Sequence, residues 1–474
     1  MIYAPEHQYR CVIIRGKSQS EMEDLLPMYA NMVHNFCPCT ADEFDARCNK
    51  YLAKVLFNNE SFDSLPEANR KTVRNHLTEV AGKLLALYYE TSDGIILESE
   101  LCSIIRENND FPLFFKNLCL NFQFPNGTNK VTEVQNRMSN DIHIKPFCYV
   151  VALLYYAQLQ EQKTLLTKQE IGYYVLNNLD VLQGKVTADV VYKRIIEDRN
   201  NKIHRPQLSG SYDWQHIKEQ FNLLELSNIV VTDSTYIWLN KNETKAISIF
   251  LNALDTPYFD VNAYNLSTNA GKKEFYADWG KYYGTANAQL CTLQTSFNAD
   301  VVEIADKEEQ SAQRGAVGLS TVDLGDKGEA LVYKLECERI KKYRERLVNK
   351  VLLLGKTKGL GYDISSIEAD ENPLKPEFAR YIEVKATTRV TEPSFDSIWT
   401  DSLNITSKEW IAAEQYGDYY NIYRVYFTKK KTIIIRLQNP YKKYQEGSLE
   451  VYPTIYQMNF GSNVIEKRYV SEEA

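Results

Sequence analysis

The sequence has little of what marks a membrane or secreted protein. Its longest apolar run, "PFCYVVALLYYAQL" from Pro146, is shorter than the roughly 20 residues that span a bilayer. The opening "MIYAPEHQYR" lacks a basic start followed by an apolar core, so it does not resemble a secretory signal. Nine cysteines scattered over 474 residues do not suggest a disulfide framework. We therefore expect a cytoplasmic protein with no membrane partner.

Three common catalytic patterns are also missing. There is no G-x-S-x-G motif, and the six histidines never form H-E-x-x-H. The stretch "LLLGKTKG" ends like a phosphate-binding loop, but Lys350 stands where that loop needs its first glycine. These absences argue against a serine hydrolase, a zinc peptidase and a P-loop NTPase. Four zinc-capable residues near the start have a poor zinc spacing, which favours buried thiols: His34, Cys37, Cys39 and Cys48.

An excess of positive charge is missing too. The formal net charge is −7, and the imbalance lies in the first 320 residues, which hold 31 basic against 39 acidic residues. From Thr321 onward the counts are 24 and 23. Because the whole chain does not attract nucleic acid by bulk charge, any such contact must come from a local basic patch.

The first half of the chain is predicted to be mostly helical. Residues 1–140 space their apolar residues at three and four positions, as in "SEMEDLLPMYANMVHNF". Residues 141–260 are more specific, with four predicted helices followed by "IVVTDSTYIWLN", two β-rich arms around a polar turn. Thr167 and Glu170 have the spacing of a capping box, as do Thr406 and Glu409 in the second half of the chain. Helices followed by a β-hairpin predict a winged-helix module that recognises DNA.

A basic patch falls inside this predicted module, between residues 185 and 205. Its charges suit contacts to DNA phosphates. The alternative interpretation is that they are solvated charges on a helix of a structural domain. The candidate DNA-binding residues are Lys193, Arg194, Arg199, Lys202 and Arg205.

The rest of the chain divides into a connector and a second domain. Residues 261–324 include a polar and then Gly- and Ser-containing stretch, which predicts a connector with a domain boundary between about 300 and 325. Residues 325–474 alternate helix-like and strand-like segments around one core. The predicted fold is therefore multidomain, with a mostly α N-terminal part that contains a winged helix, followed by an α/β domain.

Candidate chemistry lies in the predicted strand "RYIEVKATT", residues 380–388. Glu383 and Lys385 share one face of it, because side chains alternate along a strand. Asp363, in "GYDISS", lies at a strand end twenty residues earlier, and pairing of the two strands would bring it near Glu383. Converging carboxylates repel each other unless a cation lies between them, and oxygen ligands suit Mg²⁺. The backbone carbonyl of Val384 could add a third ligand.

Lys385 could then hold and deprotonate an attacking water. Phosphodiester hydrolysis needs accelerations of up to about 10¹⁷-fold. A single general base supplies about 10²–10⁴ of this, which favours a metal-assisted reaction. The alternative is an exposed ion pair between Glu383 and Lys385 with no catalytic role.

These residues resemble a known family. "YDI" followed by "IEVK" is similar to the PD-(D/E)XK nuclease superfamily, which has a restriction-endonuclease-like fold. The flanking "GDKGEALVYKLE" and "LNITSKEWIAAEQYGDYYNIYRVYF" resemble the C-terminal nuclease-like domain named after the plant protein NO VEIN, which also occurs in bacterial restriction and anti-phage proteins. The resemblance covers roughly 325–437, and Tyr362 replaces the usual proline. It implies that Asp363 and Glu383 bind the metal, Lys385 is the catalytic lysine and Glu329 is a helix acid that assists.

The resemblance and the patterns together predict a Mg²⁺-dependent endonuclease of a restriction or anti-phage system, with Mn²⁺ able to substitute. Its partner is double-stranded DNA, and double-strand cleavage implies a homodimer or two sequential nicks. One alternative is a defence effector that a partner protein or modified DNA triggers. Another is a DNA-binding or assembly subunit in which the nuclease fold is structural.

Overall fold

The computed structural model describes residues 17–57, 60–108, 110–160, 165–205, 208, 213–254, 258–293, 322–355, 360–396 and 399–451. The chain divides into two compact units. The first contains the chain up to residue 335 together with 384–405 and 423–435, and the second contains 336–383, 406–422 and the residues from 436 on. Within the described part, no helix is both long enough and apolar enough to cross a membrane.

The first unit is mostly helical, as the apolar spacing predicts. Two segments, His76–Leu84 and Gly172–Leu176, are π-helical. The α-helices are α1 (Gln19–Phe36), α2 (Ala41–Leu56), α3 (Glu67–Asn75), α4 (Glu100–Asn108), α5 (Phe111–Asn121), α6 (Val131–Ser139), α7 (Pro146–Leu159), α8 (Lys168–Ile171), α9 (Leu179–Leu182), α10 (Ala188–Asn200), α11 (Asp213–Leu226), α12 (Thr244–Asn252), α13 (Asn269–Tyr283) and α14 (Ala288–Cys291).

Two small antiparallel sheets interrupt these helices, and they have the same strand order. The first consists of β1 (Cys39–Thr40), β2 (Tyr88–Glu90) and β3 (Ile95–Glu98), in the order β1-β3-β2. The second consists of β4 (Leu166–Thr167), β5 (Val230–Thr232) and β6 (Tyr236–Leu239), in the order β4-β6-β5. In each sheet a two-residue strand pairs with the second arm of a hairpin that lies far along the chain.

Both two-residue strands end in a threonine that caps the next helix. Thr40 and Glu43 form a capping box at the start of α2, and Thr167 and Glu170 form one at the start of α8, as the sequence predicts for the second pair. We call residues 39–98 module A and residues 166–239 module B. One apolar core runs through both modules and extends from α1 to α14, across the predicted boundary at residue 140.

The larger sheet has five strands in the order β11-β10-β9-β8-β7. A C-terminal domain of mixed helices and strands is therefore confirmed. Strand β8 pairs with β9 in antiparallel fashion, with Ile364 opposite Ile382. The strands are β7 (Leu352–Leu353), β8 (Ile364–Ile367), β9 (Ala379–Thr388), β10 (Tyr420–Phe427) and β11 (Thr432–Gln438), and the helices are α15 (Val322–Arg344), α16 (Ser407–Tyr416) and α17 (Pro440–Gln445).

A buried set of ion pairs and hydrogen bonds joins helix α1 to the segment that follows β9. The Arg389 guanidinium donates to the Asp24 carboxylate over 2.7 Å, and the backbone N–H groups of Val390 and Thr391 each donate to the Glu23 carboxylate over 2.7 Å. The side chains of Arg389, Asp24 and Glu23 are all buried. Residues far apart in sequence are thus fixed to each other within the first unit.

The predicted boundary between 300 and 325 falls largely on residues 294–321, which lie outside the described residues. The start of the predicted connector contains α13 and α14, and Trp279 and Leu290 from these helices join the core of the first unit. The winged-helix and PD-(D/E)XK folds remain predictions.

Candidate functional site

Asp363 and Glu383 lie on neighbouring strands. Asp363 immediately precedes β8, and its backbone N–H donates to the carbonyl of Ile382, the residue before Glu383, over 2.9 Å. The carbonyl of Asp363 accepts a hydrogen bond of 2.6 Å from the backbone N–H of Leu354. Strand pairing therefore holds Asp363 at the level of Glu383, as the sequence predicts. Glu383 is 4% exposed, an unusual position for a carboxylate.

The phenol of Tyr420 hydrogen-bonds to the turn that leads into Asp363. Tyr420 is fully buried at the start of β10, and its hydroxyl donates to the carbonyl of Gly361 over 2.9 Å. Burial raises the pKa of Tyr420 well above its usual range, and the negative charges of Glu383, Glu409 and Asp363 raise it further. Three carboxylates of the second unit thus act on the pKa of the same buried phenol.

Sequence reasoning missed the third carboxylate as a site residue. Glu409 lies in the first turn of α16, where it forms a capping box with Thr406, as predicted. The buried residues Ala412 and Ala413 and the partly buried Tyr416 follow at the spacing of one helix face, and the Tyr416 ring stacks on Tyr381 of β9 at 3.9 Å. This spacing from Glu409 would have indicated that it shares the face that packs on the sheet.

Lys385 and Val384 continue β9 beyond Glu383. Val384 is buried and Lys385 is partly buried. Because side chains alternate along a strand, Lys385 lies on the face that Glu383 occupies, and Val384 lies on the other. All three residues therefore lie on one strand, as the sequence predicts. The roles of the Lys385 amine and the Val384 carbonyl stay predictions.

Glu329 lies in α15, next to a glycine that packs against β9. A Cβ atom on Gly328 would lie 2.9 Å from the Cβ of Ala386 and 3.4 Å from Val384 Cγ1. This start of α15 therefore packs closely on β9 at Val384 and Ala386. The assisting role of Glu329 stays a prediction.

The donor set suits a hard divalent cation that keeps part of its water shell. Among the described residues there is no group of three or more histidine, cysteine, aspartate or glutamate side chains that could hold a metal. Mg²⁺ does not need such a cage, because it usually keeps several waters and is bound through one or two carboxylates. Asp363 and Glu383 fit this requirement.

The five predicted DNA-binding residues lie on α10 and in the segment after it. Four of them form ion pairs within their own module: Lys193 with Asp189 at 3.1 Å, Arg194 with Asp198 at 3.4 Å, Arg199 with Glu170 at 2.6 Å and Arg205 with Asp198 at 2.6 Å. Lys202 is exposed and has a left-handed backbone, with φ of 53°. The patch is therefore less positive than its basic residues suggest.

A cavity of about 300 Å³ lies beside this patch. The guanidinium of Arg205 stands over the rings of Tyr173 and Tyr174, at 5.7 and 6.0 Å from their centres. Burial acts to raise the pKa of Asp198, but hydrogen bonds from Tyr174 and Arg205 outweigh it and hold the pKa of that carboxyl below its usual value. Asp198 therefore stays ionised and fixes both partners.

Module A was not predicted as a recognition module. Its helix α3 precedes the β2–β3 hairpin and carries Arg70, Lys71 and Arg74. Arg70 and Arg74 both pair with Glu67. The repeated Thr-x-x-Glu spacing, at Thr40 and again at Thr167, is the sequence signal that could have revealed the second copy.

Two family models match separate parts of the chain. Residues 3–280 match the family model described as restriction endonuclease BpuJI, N terminal. Residues 328–437 match the model described as protein NO VEIN, C-terminal, which confirms the resemblance seen in the sequence motifs. No curated protein sequence matches the chain.

One similar solved structure is the crystal structure of pyrene- and phenanthrene-modified DNA in complex with the BpuJ1 endonuclease binding domain. It is 38% identical in sequence, with a TM-score of 0.54. The match covers 60% of this chain and 100% of that chain.

Proposed function

This chain belongs to the family of the BpuJI restriction endonuclease N-terminal region, and on that premise we propose that it is a Mg²⁺-dependent DNA endonuclease of a restriction or anti-phage system. Its first 280 residues would select the DNA, and its NO VEIN-type domain would cleave it. The observation that carries the proposal is the position of Asp363 beside Glu383 on paired strands. These strands follow a region that is similar to a binding domain solved in complex with DNA.

Two DNA-recognition modules are proposed. Module A and module B share strand order and capping box, and each ends in the hairpin expected of a winged helix. The match to the family model described as restriction endonuclease BpuJI, N terminal, covers residues 3–280 and so contains both modules. Exposed cations such as Lys71 and Lys202 would contact phosphates, while the ion-paired arginines hold the modules in shape.

For the reaction, Asp363 and Glu383 would hold the cation, with the carbonyl of Val384 as a further oxygen donor. When bound, Mg²⁺ supplies a Lewis acid for the scissile phosphate and lowers the pKa of a bound water. Lys385 would orient the attacking water by a hydrogen bond, take its proton and offset the negative charge that develops on the phosphate. Glu329 would assist from α15.

One nuclease domain cuts one strand, so double-strand cleavage would require a homodimer or two successive nicks. A defence-system partner protein or modified DNA could be the trigger for cleavage. A DNA-binding or assembly subunit without catalysis is the alternative from another class. The observation that favours testing it is that, among the described residues, no group of three or more histidine, cysteine, aspartate or glutamate side chains could hold a metal.

The test is cleavage of supercoiled plasmid and phage DNA, modified and unmodified, with Mg²⁺ or Mn²⁺. Wild type is compared with Lys385→Ala, which keeps both proposed metal ligands, and each protein is also tested for DNA binding by gel shift. Cleavage by wild type alone supports the proposal. Equal cleavage by both proteins contradicts the assigned site, and binding without cleavage under every condition favours the non-catalytic subunit.

A further inference from the structure

The turn that carries Asp363 is held by contacts on several sides. Asp363 itself is fixed by its two backbone hydrogen bonds, to Ile382 and from Leu354. The ring of the preceding residue, Tyr362, packs on Tyr381 of β9 with ring centres 4.8 Å apart. The position of the Asp363 carboxylate therefore depends on the geometry of the residues from Gly361 to Asp363.

Gly361 is pressed against helix α16. Its φ of +77° is one that side-chain-bearing residues rarely adopt. A Cβ atom there would lie 2.7 Å from the carbonyl oxygen of Lys408 and 2.9 Å from the Cβ of Ala412. Because α16 occupies one side of the turn so closely, Gly361 cannot shift towards the helix.

Tyr420 provides the hydrogen bond to this turn. Its ring is fully buried at the start of β10, and its hydroxyl donates to the Gly361 carbonyl over 2.9 Å. The strand and the ring fix the donor, and the donor fixes the carbonyl two residues before Asp363. A phenylalanine would keep the ring in place but would leave the carbonyl without this donor.

We propose that Tyr420 is a positioning residue of the nuclease site, and that its hydroxyl holds the Gly361 turn so that Asp363 stands beside Glu383 at the spacing a divalent cation requires. The inference rests on the proposed function. It adds a residue of β10 to the site, beside the predicted Asp363 before β8, Glu383 and Lys385 on β9, and Glu329 on α15.

The test compares full-length wild type, Tyr420→Phe and Tyr426→Phe. Tyr426 is a matched control, because it is a buried tyrosine on the same strand whose hydroxyl donates to Asp401 over 2.7 Å. Loss of a group that orients a metal ligand lowers metal affinity by about 10-fold or more. We expect Tyr420→Phe to weaken Mn²⁺ binding, measured by electron paramagnetic resonance without DNA, by about 10-fold. Tyr426→Phe should bind Mn²⁺ as wild type does.

Two further readouts separate positioning from a general loss of stability. The Mg²⁺ concentration for half-maximal plasmid cleavage should rise in Tyr420→Phe, while KM for DNA stays at the wild-type value. Hydrogen exchange of the backbone amides from Gly361 to Ile364 should be faster in Tyr420→Phe and unchanged in Tyr426→Phe. Wild-type metal affinity and exchange in Tyr420→Phe, or equal changes in both variants, would overturn the inference.

Failure of the proposed function gives a different result. If wild type binds no Mn²⁺ and cleaves no DNA, the metal-dependent nuclease is wrong, and hydrogen exchange alone decides on Tyr420. Faster exchange at the turn in Tyr420→Phe only would keep the positioning role for the hydroxyl, and unchanged exchange would remove it.

Discussion

The basic patch on α10 and the acidic pair beside β9 use charge in opposite ways. Around α10 each arginine has a carboxylate within its own module, as with Arg199 and Glu170 or Arg205 and Asp198. Asp363, just before β8, and Glu383, on β9, lie at neighbouring positions of paired strands, and the charges of both raise the pKa of the buried Tyr420 phenol. The first arrangement pairs opposite charges within one module, whereas the second places two carboxylates at neighbouring positions of paired strands.

This difference shows where a ligand is to be expected. Opposite charges that pair contribute to the fold and leave little field for a partner. Like charges that converge in a partly buried place destabilise the protein unless a proton or a cation compensates them. A count of basic residues therefore overstates how positive the surface around α10 is, because ion pairs within the module offset part of its charge.

The largest expected effect comes from removing one carboxylate of the Asp363 and Glu383 pair. Asp363→Asn keeps the shape of the side chain but removes one of the two negative charges. We expect plasmid cleavage in Mg²⁺ to fall by about 10³-fold or more, because a metal contributes several kcal/mol to the barrier. DNA affinity in a gel shift should remain that of wild type. Cleavage within a few fold of wild type would remove Asp363 from the site.

The second prediction disturbs the backbone beneath that pair. Gly361→Ala should lower the free energy of unfolding by about 2–3 kcal/mol, since it combines a left-handed φ with a contact to the Lys408 carbonyl. Gly447→Ala is the control, with φ of +73° and open space at the Cβ position. It should cost only about 1 kcal/mol. Urea unfolding measures both, and equal losses would contradict the close contact.

The third prediction concerns the ion pair between Asp198 and Arg205. Asp198→Asn should lower the free energy of unfolding by about 1–2 kcal/mol at pH 7, because hydrogen bonds to a charged group are lost. The folded-state pKa of Asp198 is depressed, so its contribution is present above the unfolded pKa and disappears as pH falls through the folded pKa. The difference between variant and wild type should therefore shrink below about pH 4.

Asp189→Asn is the comparison variant for the measurements at low pH, since Asp189 is a partly exposed carboxylate on the same helix that pairs with Lys193. Urea unfolding of the three proteins at pH 7 and at pH 3.5 checks the prediction. A difference for Asp198→Asn that grows as pH falls would show the opposite sign of pKa shift.

The smallest effect sharpens the comparison on the DNA side. Lys202→Ala should weaken DNA binding uniformly across sequences and reduce the slope of log K against log salt by about 1. Arg199→Ala should leave that slope unchanged, because its charge is already paired with Glu170. Fluorescence anisotropy between low and moderate salt measures both slopes. A larger change for Arg199→Ala would mean that its ion pair opens on DNA.

Local signals in the sequence predicted local structure well. The capping boxes at Thr167 and Thr406, the helical first half and the strand that carries Glu383 and Lys385 all appear where the residue pattern places them. The proximity of Asp363 to Glu383 was also predictable, because two strands joined by a short excursion tend to pair.

Long-range partners could not be predicted. Arg199 pairs with Glu170, which is 29 residues away in the sequence. The sequence alone therefore predicted a basic patch on α10 without the carboxylates that offset it. The strand order shared by modules A and B depends on pairings such as Thr40 with Ile95 and Thr167 with Tyr236, which no local periodicity reveals. Glu409 was interpreted only as a helix cap, although its spacing to Ala412, Ala413 and Tyr416 is that of the helix face that packs on the sheet.

The link between helix α1 and the segment after β9 has a practical consequence for dissecting this protein. A fragment that starts near residue 325 would retain Arg389 but lack Glu23 and Asp24. Asp24 accepts a hydrogen bond from the Arg389 guanidinium, and Glu23 accepts hydrogen bonds from the next two backbone N–H groups. Removing one side of a buried ionic contact is strongly destabilising. The predicted connector suggests itself as a place to truncate the chain. A truncation there would separate Arg389 from its buried partners, so either half is best studied in the intact chain.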